Sequence, residues 1–66
     1  MININTEFIT LGQLLKMLDI ANSGGEIKHL IKTLDIKVNS TIENRRGKKL
    51  YKGDIVIIDG KSYTIN

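Results

Sequence analysis

The apolar positions of this chain change period along its length. Leu11, Leu14, Leu15 and Leu18 fall at i, i+3, i+4 and i+7, which places all of them on one stripe of a helix. Thr10 followed by Gln13 has the spacing of a capping box and marks where that helix begins. Ile27, Leu30, Ile31 and Leu34 repeat the interval, and Ser23 with Glu26 repeats the start signal. Only Ala21 to Ser23 is left as a connection, so the two short helices are expected to pack stripe to stripe. After Leu34 the period falls to two: Ile36 and Val38 alternate with Lys37 and Asn39, as on a half-buried strand. Asn3 to Phe8 reads as a short lead strand, Ser40-Thr41 as a turn, and Lys52-Gly53 as another. The β-branched run inside Asp54-Ile-Val-Ile-Ile-Asp59 reads as a strand. It is joined to Ser62-Tyr63-Thr64-Ile65 by Asp59-Gly60, a strong hairpin signal because Gly tolerates the positive φ of a tight primed turn. The expected core is Leu11, Leu14, Leu15, Leu18, Ile27, Leu30, Ile31, Leu34, Ile36, Val38, Ile55 and Ile57.

Composition narrows the class without changing that layout. Sixty-six residues are enough for one domain, 1–66, with one core, and 41% apolar with 26% charged residues is the balance of a soluble globular chain. There is no Cys, so neither a disulfide nor a thiolate zinc site can staple the fold, and a reducing cytoplasm is the expected setting. Met1 to Thr6 lacks the basic flank and apolar run of a signal peptide, and no apolar run approaches the roughly 20 residues of a membrane span.

Charge changes the picture more. Residues 1–27 hold only Lys16 against Glu7, Asp19 and Glu26, whereas the rest hold nine basic side chains against Asp35, Glu43, Asp54 and Asp59. Arg45, Arg46, Lys48, Lys49 and Lys52 supply half of the ten basic residues, with Gly47 between them where a phosphate backbone can approach the main chain. Such polarity orients a molecule in the field of a polyanion. Arg45 and Arg46 are the first candidates, because a guanidinium fork holds phosphate oxygens bidentately and stacks on exposed bases. Lys48 and Lys49 add point charges. Ser23, Gly24 and Gly25 open the second helix, where free N–H groups form a potential phosphate seat. Lys28 and Lys32, four residues apart, share a face that would extend the phosphate track or simply be solvated. Asn39 has an amide to offer a base edge or a ribose hydroxyl, with turn formation beside Ser40 as its competing use.

In this order the residues resemble a known family. A helix pair, Ser23-Gly24-Gly25, Lys28, a strand ending Val38-Asn39, then Asn44-Arg45-Arg46-Gly47-Lys48-Lys49-Leu50 and Gly53-Asp54, resembles the S4 RNA-binding domain. The set is most similar to the small stand-alone bacterial S4-like proteins of the YaaA type. The resemblance implies an α+β fold, with two short helices packed on a small, mostly antiparallel sheet. It also implies a face that grips structured RNA and joins the start of the second helix to the basic loop. The family pattern often has Gly at positions held here by Leu34 or Asp35 and by Ser40.

Catalysis has little support in the residues. His29 is the only His, and the carboxylates are scattered, with Asp54 and Asp59 in turn signals. Gly24-Gly25 satisfies neither a Walker nor a dinucleotide fingerprint. The expectation is a monomeric, non-catalytic RNA-binding protein without cofactor, metal, small-molecule substrate or membrane partner. The resemblance, and not the residues alone, implies RNA as the ligand, with ribosomal RNA or an assembling ribosomal particle as the expected target. The alternatives are a protein-interaction module that docks its basic face on an acidic partner, and a duplex DNA binder.

Overall fold

Thr10 ends one element and starts the next. In the computed structural model, which describes residues 1–66, strand β1 (Phe8–Thr10) runs directly into helix α1 (Leu11–Met17). The Thr10 hydroxyl accepts from the Gln13 N–H at 3.2 Å, and the Gln13 side-chain oxygen accepts from the Thr10 N–H at 2.7 Å, so the capping box is complete. Helix α1 stops at Met17 in a Schellman turn: Asp19 takes the left-handed position at φ 60°, its N–H donates to the Lys16 carbonyl, and the Ile20 N–H donates to that of Leu15. The connection to helix α2 (Gly24–Thr33) is therefore longer than Ala21 to Ser23. Ser23 caps α2 through a 3.2 Å bond from the Glu26 N–H. The Glu26 carboxylate reaches past Ser23 to accept from the Asn22 N–H at 3.3 Å, so this box closes one residue early.

The remaining strands are β2 (Ile36–Val38), β3 (Thr41–Ile42), β4 (Lys49–Tyr51), β5 (Ile55–Ile58) and β6 (Lys61–Thr64). They form two antiparallel sheets, one of order β3-β2-β5-β6 and one pairing β1 with β4. The α+β class is as expected. The lead strand lies later than Asn3–Phe8. Ile2 instead makes an isolated parallel bridge with Ile65, held by bonds from the Ile2 N–H to the Thr64 carbonyl and from the Asn66 N–H to the Ile2 carbonyl, both 2.7 Å.

Two tight turns organise the larger sheet. Asp59 (φ 48°) and Gly60 (φ 85°) join β5 to β6 as predicted. The turn between β2 and β3 is Asn39-Ser40, with φ of 51° and 72°, so it lies one residue earlier than Ser40-Thr41, and Thr41 pairs with Val38. Ser40 thus occupies a left-handed position, which explains why Gly suits it in the related pattern.

Register decides the core. Ile36 pairs with Ile58 and Val38 with Val56, which turns those four inward. Ile55 and Ile57 were expected inside, but Ile55 is 44% exposed and Ile57 is half-buried on the outer face. Leu18, Leu30 and Leu34 are only half-buried and pack against the edge of the core, whereas Ile27 and Ile31 are buried in it. Ile9, Ala21, Leu50 and Ile65 complete the interior.

Replacing Leu50, which has no exposed surface, with Ala should cost about 2 to 5 kcal/mol. Ile55→Ala should cost far less, and equal shifts of the urea midpoint for the two variants would place β5 in the opposite phase. Ser40→Gly should stabilise the protein by up to about 1 kcal/mol by relieving the left-handed backbone, seen as a rise in Tm of a few degrees. An unchanged or lower Tm would contradict the strained turn.

Candidate nucleic-acid interface

The basic loop is fastened to α1 through its backbone. The first N–H groups of a helix have no partner within it, and α1 begins where β1 ends, beside β4. The Leu11 N–H donates to the Lys48 carbonyl and the Gly12 N–H to the Arg46 carbonyl, both at 2.9 Å. A 3.1 Å bond from the Lys48 N–H to the Arg45 carbonyl closes the loop on itself. Gly12 is what permits the approach: a Cβ there would lie 3.3 Å from the Arg46 carbonyl oxygen and 3.6 Å from Arg46 Cβ.

This docking encloses a shallow groove of about 320 Å³ between three elements. Helix α1 contributes Gly12, Gln13 and Lys16, helix α2 contributes Gly24 and Ile27, and the loop contributes Arg46 and Gly47. Gly24 and Gly25 have open space where a Cβ would be, apart from the Ser23 hydroxyl oxygen 4.0 Å from Gly25. Gly24, Lys28 and Lys32 lie at successive i+4 positions, so an exposed row of positive charge leads away from the groove along α2. The start of α2 and the basic loop therefore meet, as the sequence resemblance implied.

The predicted residues do not all converge there. The Arg45 side chain is 71% exposed but its guanidinium is folded onto Glu43, with Nε to Oε2 at 2.9 Å and a second nitrogen to Oε1 at 3.1 Å. The Arg45 N–H also donates to Glu43, at 3.1 Å. Glu43 is the one buried charged side chain, and it engages Nε and one terminal nitrogen of the Arg45 guanidinium. Asn39 is held elsewhere: its amide donates to the Asp54 carboxylate and accepts from the Ile55 N–H, both at 3.0 Å. Its turn-forming use is the one the geometry displays. Ser23 spends its hydroxyl on the helix cap, and Lys48 is half-buried along the loop. Lys49 lies on the outer face of β4 with Nζ 4.9 Å from the Phe8 ring centroid. His29 and Lys52 are exposed.

Sequence reading missed Lys16, Gly12 and Gln13. The signal was present, since Gly12 and Lys16 are four residues apart and so share a helical face distinct from the leucine stripe. What no local pattern supplies is the loop that lies against that face. No group of three or more His, Asp or Glu side chains is placed to hold a metal ion, and no helix is long and apolar enough to cross a membrane.

The Glu43–Arg45 pair makes a pH-dependent contribution. The hydrogen bonds from the Arg45 side chain hold the Glu43 carboxyl below its ordinary value, against the opposing effect of burial. A carboxylate whose folded pKa is depressed stabilises the fold above the range where a free glutamate titrates, about 4.3, and loses that contribution as pH falls through its lower folded value. In thermal melts from pH 7 to pH 3, Glu43→Gln should lie below the parent at neutral pH, with the gap closing in the acid range. A gap independent of pH would refute the ion pair's role.

Comparison with known proteins agrees with this architecture. A family model described as "S4 domain" matches residues 2–66. The chain is also similar to a protein of Bacillus subtilis (strain 168) named "Probable ribosome maturation protein RlbA", with 51% identity over 59 residues, covering 89% of this chain and 83% of that protein. With the match spanning both helices, the basic loop and every strand, the chain belongs to the S4 domain family.

Proposed function

We propose that this protein is a non-catalytic RNA-binding protein that grips structured RNA through the groove between α1, α2 and the basic loop. It acts as a monomer in the cytoplasm, on ribosomal RNA or an assembling ribosomal particle. The observation that carries the reading is the groove itself, which brings Lys16 and Arg46 together beside the open start of α2. Cationic side chains there neutralise phosphates, and the Gly24 and Gly25 N–H groups at the start of α2 donate to a phosphate oxygen at close range because these residues present no side chain.

Within this face the residues have unequal roles. Arg46 and Lys16 flank the groove, and Lys28 and Lys32 continue the track along α2. Lys48 and Lys49 extend it along the loop and β4, while Ser23 orders the helix start. Arg45 contributes the part of its fork that Glu43 leaves free, and Asn39 supports the sheet. Membership of the S4 family and the ribosome-maturation name of the Bacillus relative favour RNA over duplex DNA and a ribosomal target over others. Physically, that preference requires a surface matched to A-form shape and 2′-hydroxyls.

The test is binding to folded ribosomal RNA fragments, tRNA and duplex DNA across a salt series, with a Lys16→Ala/Arg46→Ala variant alongside. Folded RNA should bind most tightly, and the slope of log affinity against log salt should flatten in the variant by roughly 0.7 to 0.9 for each phosphate contact removed. Equal weak binding to every polyanion, unmoved by the variant, would sink this reading and leave docking to an acidic protein in its place.

A further inference from the structure

The outer face of the β1-β4 pair carries two aromatic rings that the core does not use. Phe8 and Tyr51 are directly opposed in the antiparallel register. Their centroids are 5.7 Å apart and their planes are inclined by 49°. On the inner face of the same two strands, Ile9 and Leu50 are paired and buried. Tyr51 remains 43% exposed, and the Lys49 ammonium stands 4.9 Å from the Phe8 centroid. A cross-strand aromatic pair stabilises a two-stranded sheet by itself, but that role does not require an exposed ring with a cation beside it.

Position gives the patch a second meaning. Strand β4 follows directly on Arg46, Gly47 and Lys48, and Lys49 pairs with Thr10, which lines the groove. Gln13 lines both the groove and a neighbouring depression of about 480 Å³ that Phe8 and Met17 also line. From Thr10 to Phe8 is two strand residues, about 7 Å, a short step along a nucleic-acid backbone. A strand whose phosphates lie in the groove therefore meets an aromatic surface with a lysine beside it as it leaves.

We propose that Phe8, Tyr51 and Lys49 form a stacking site for an unpaired nucleobase of the bound RNA. The site rests on the RNA-binding reading above. Tyr51 supplies the ring face, Phe8 fixes the Tyr51 ring from the opposite strand, and Lys49 contacts the phosphate next to the stacked base. Any base has a π-face, so the site selects single-stranded character over sequence. In effect the groove reads the backbone of a folded RNA and the platform detects where its pairing ends.

The experiment compares a fully paired RNA duplex with a hairpin of the same stem carrying an unpaired loop, with 2-aminopurine in the loop. Parent, Tyr51→Phe, Tyr51→Ala and Tyr51→Leu proteins are titrated, the last because leucine keeps apolar packing on Phe8 while removing the π-face. The parent and Tyr51→Phe should favour the looped RNA and alter the 2-aminopurine fluorescence on binding. Tyr51→Ala and Tyr51→Leu should bind the looped RNA about 5- to 100-fold more weakly, lose the fluorescence change, and bind the duplex as the parent does. Unchanged affinity of folded Tyr51→Leu for the looped RNA overturns the stacking site while leaving RNA binding intact, as does equal weakening for both RNAs. Failure of the parent to bind either RNA overturns the RNA-binding reading and the stacking site together. If Tyr51→Leu loses binding to a poly-glutamate peptide but not to looped RNA, the patch belongs to an acidic protein partner.

Discussion

The pair of hydrogen bonds from the start of α1 to the Arg46 and Lys48 carbonyls is the constraint on which the arrangement depends. Because α1 begins without a loop after β1, its first free N–H groups point toward the strand that pairs with β1, and the segment leading into that strand satisfies them. The backbone of a highly charged loop is thus fixed, with the Arg45 side chain turned onto Glu43 and Arg46 left exposed at the groove. Gly12 follows from the same constraint, since any side chain there would crowd the carbonyl its own N–H holds. Preorganisation of this kind lowers the ordering cost of binding.

A run of five basic residues looks uniform in the sequence, yet the fold separates them. Arg45 is partly neutralised by Glu43, Arg46 flanks the groove, Lys48 is half-buried along the loop, Lys49 stands on an aromatic ring and Lys52 projects from a turn. Conversely, Lys16 belongs to the acidic part of the sequence but is brought beside Arg46. Charge polarity along a chain and charge polarity on a surface are different quantities, and the docking of the loop on α1 converts one into the other.

The helices were legible because each carries a local period and a local cap: the leucine stripe with Thr10 and Gln13, the isoleucine stripe with Ser23. Asp59-Gly60 was legible for a similar reason, since the turn's geometry demands that chemistry within two residues. Strand β5 was not. Four consecutive apolar residues carry no period of two, and only pairing with Ile36 and Val38 decides that Val56 and Ile58 face inward. The Asn39-Ser40 turn was misplaced because its left-handed residues are not glycines. The candidate site was half legible: its basic loop and helix start stood out by composition, but the partners Gly12, Gln13 and Lys16 depended on a contact distant in sequence.

The parallel bridge between Ile2 and Ile65 has a consequence for how the chain reaches this fold. Asn3 and Asn66, 63 positions apart in sequence, share a 3.0 Å side-chain hydrogen bond beside that bridge. Closing so wide a separation costs entropy that local contacts must first offset, and such non-local pairings slow folding. Ile65 is itself buried in the core, so this long-range pairing is part of what closes the interior. Each helix carries its own period and cap and can form locally, whereas the core closes only when Ile65 packs beside residues far from it in sequence.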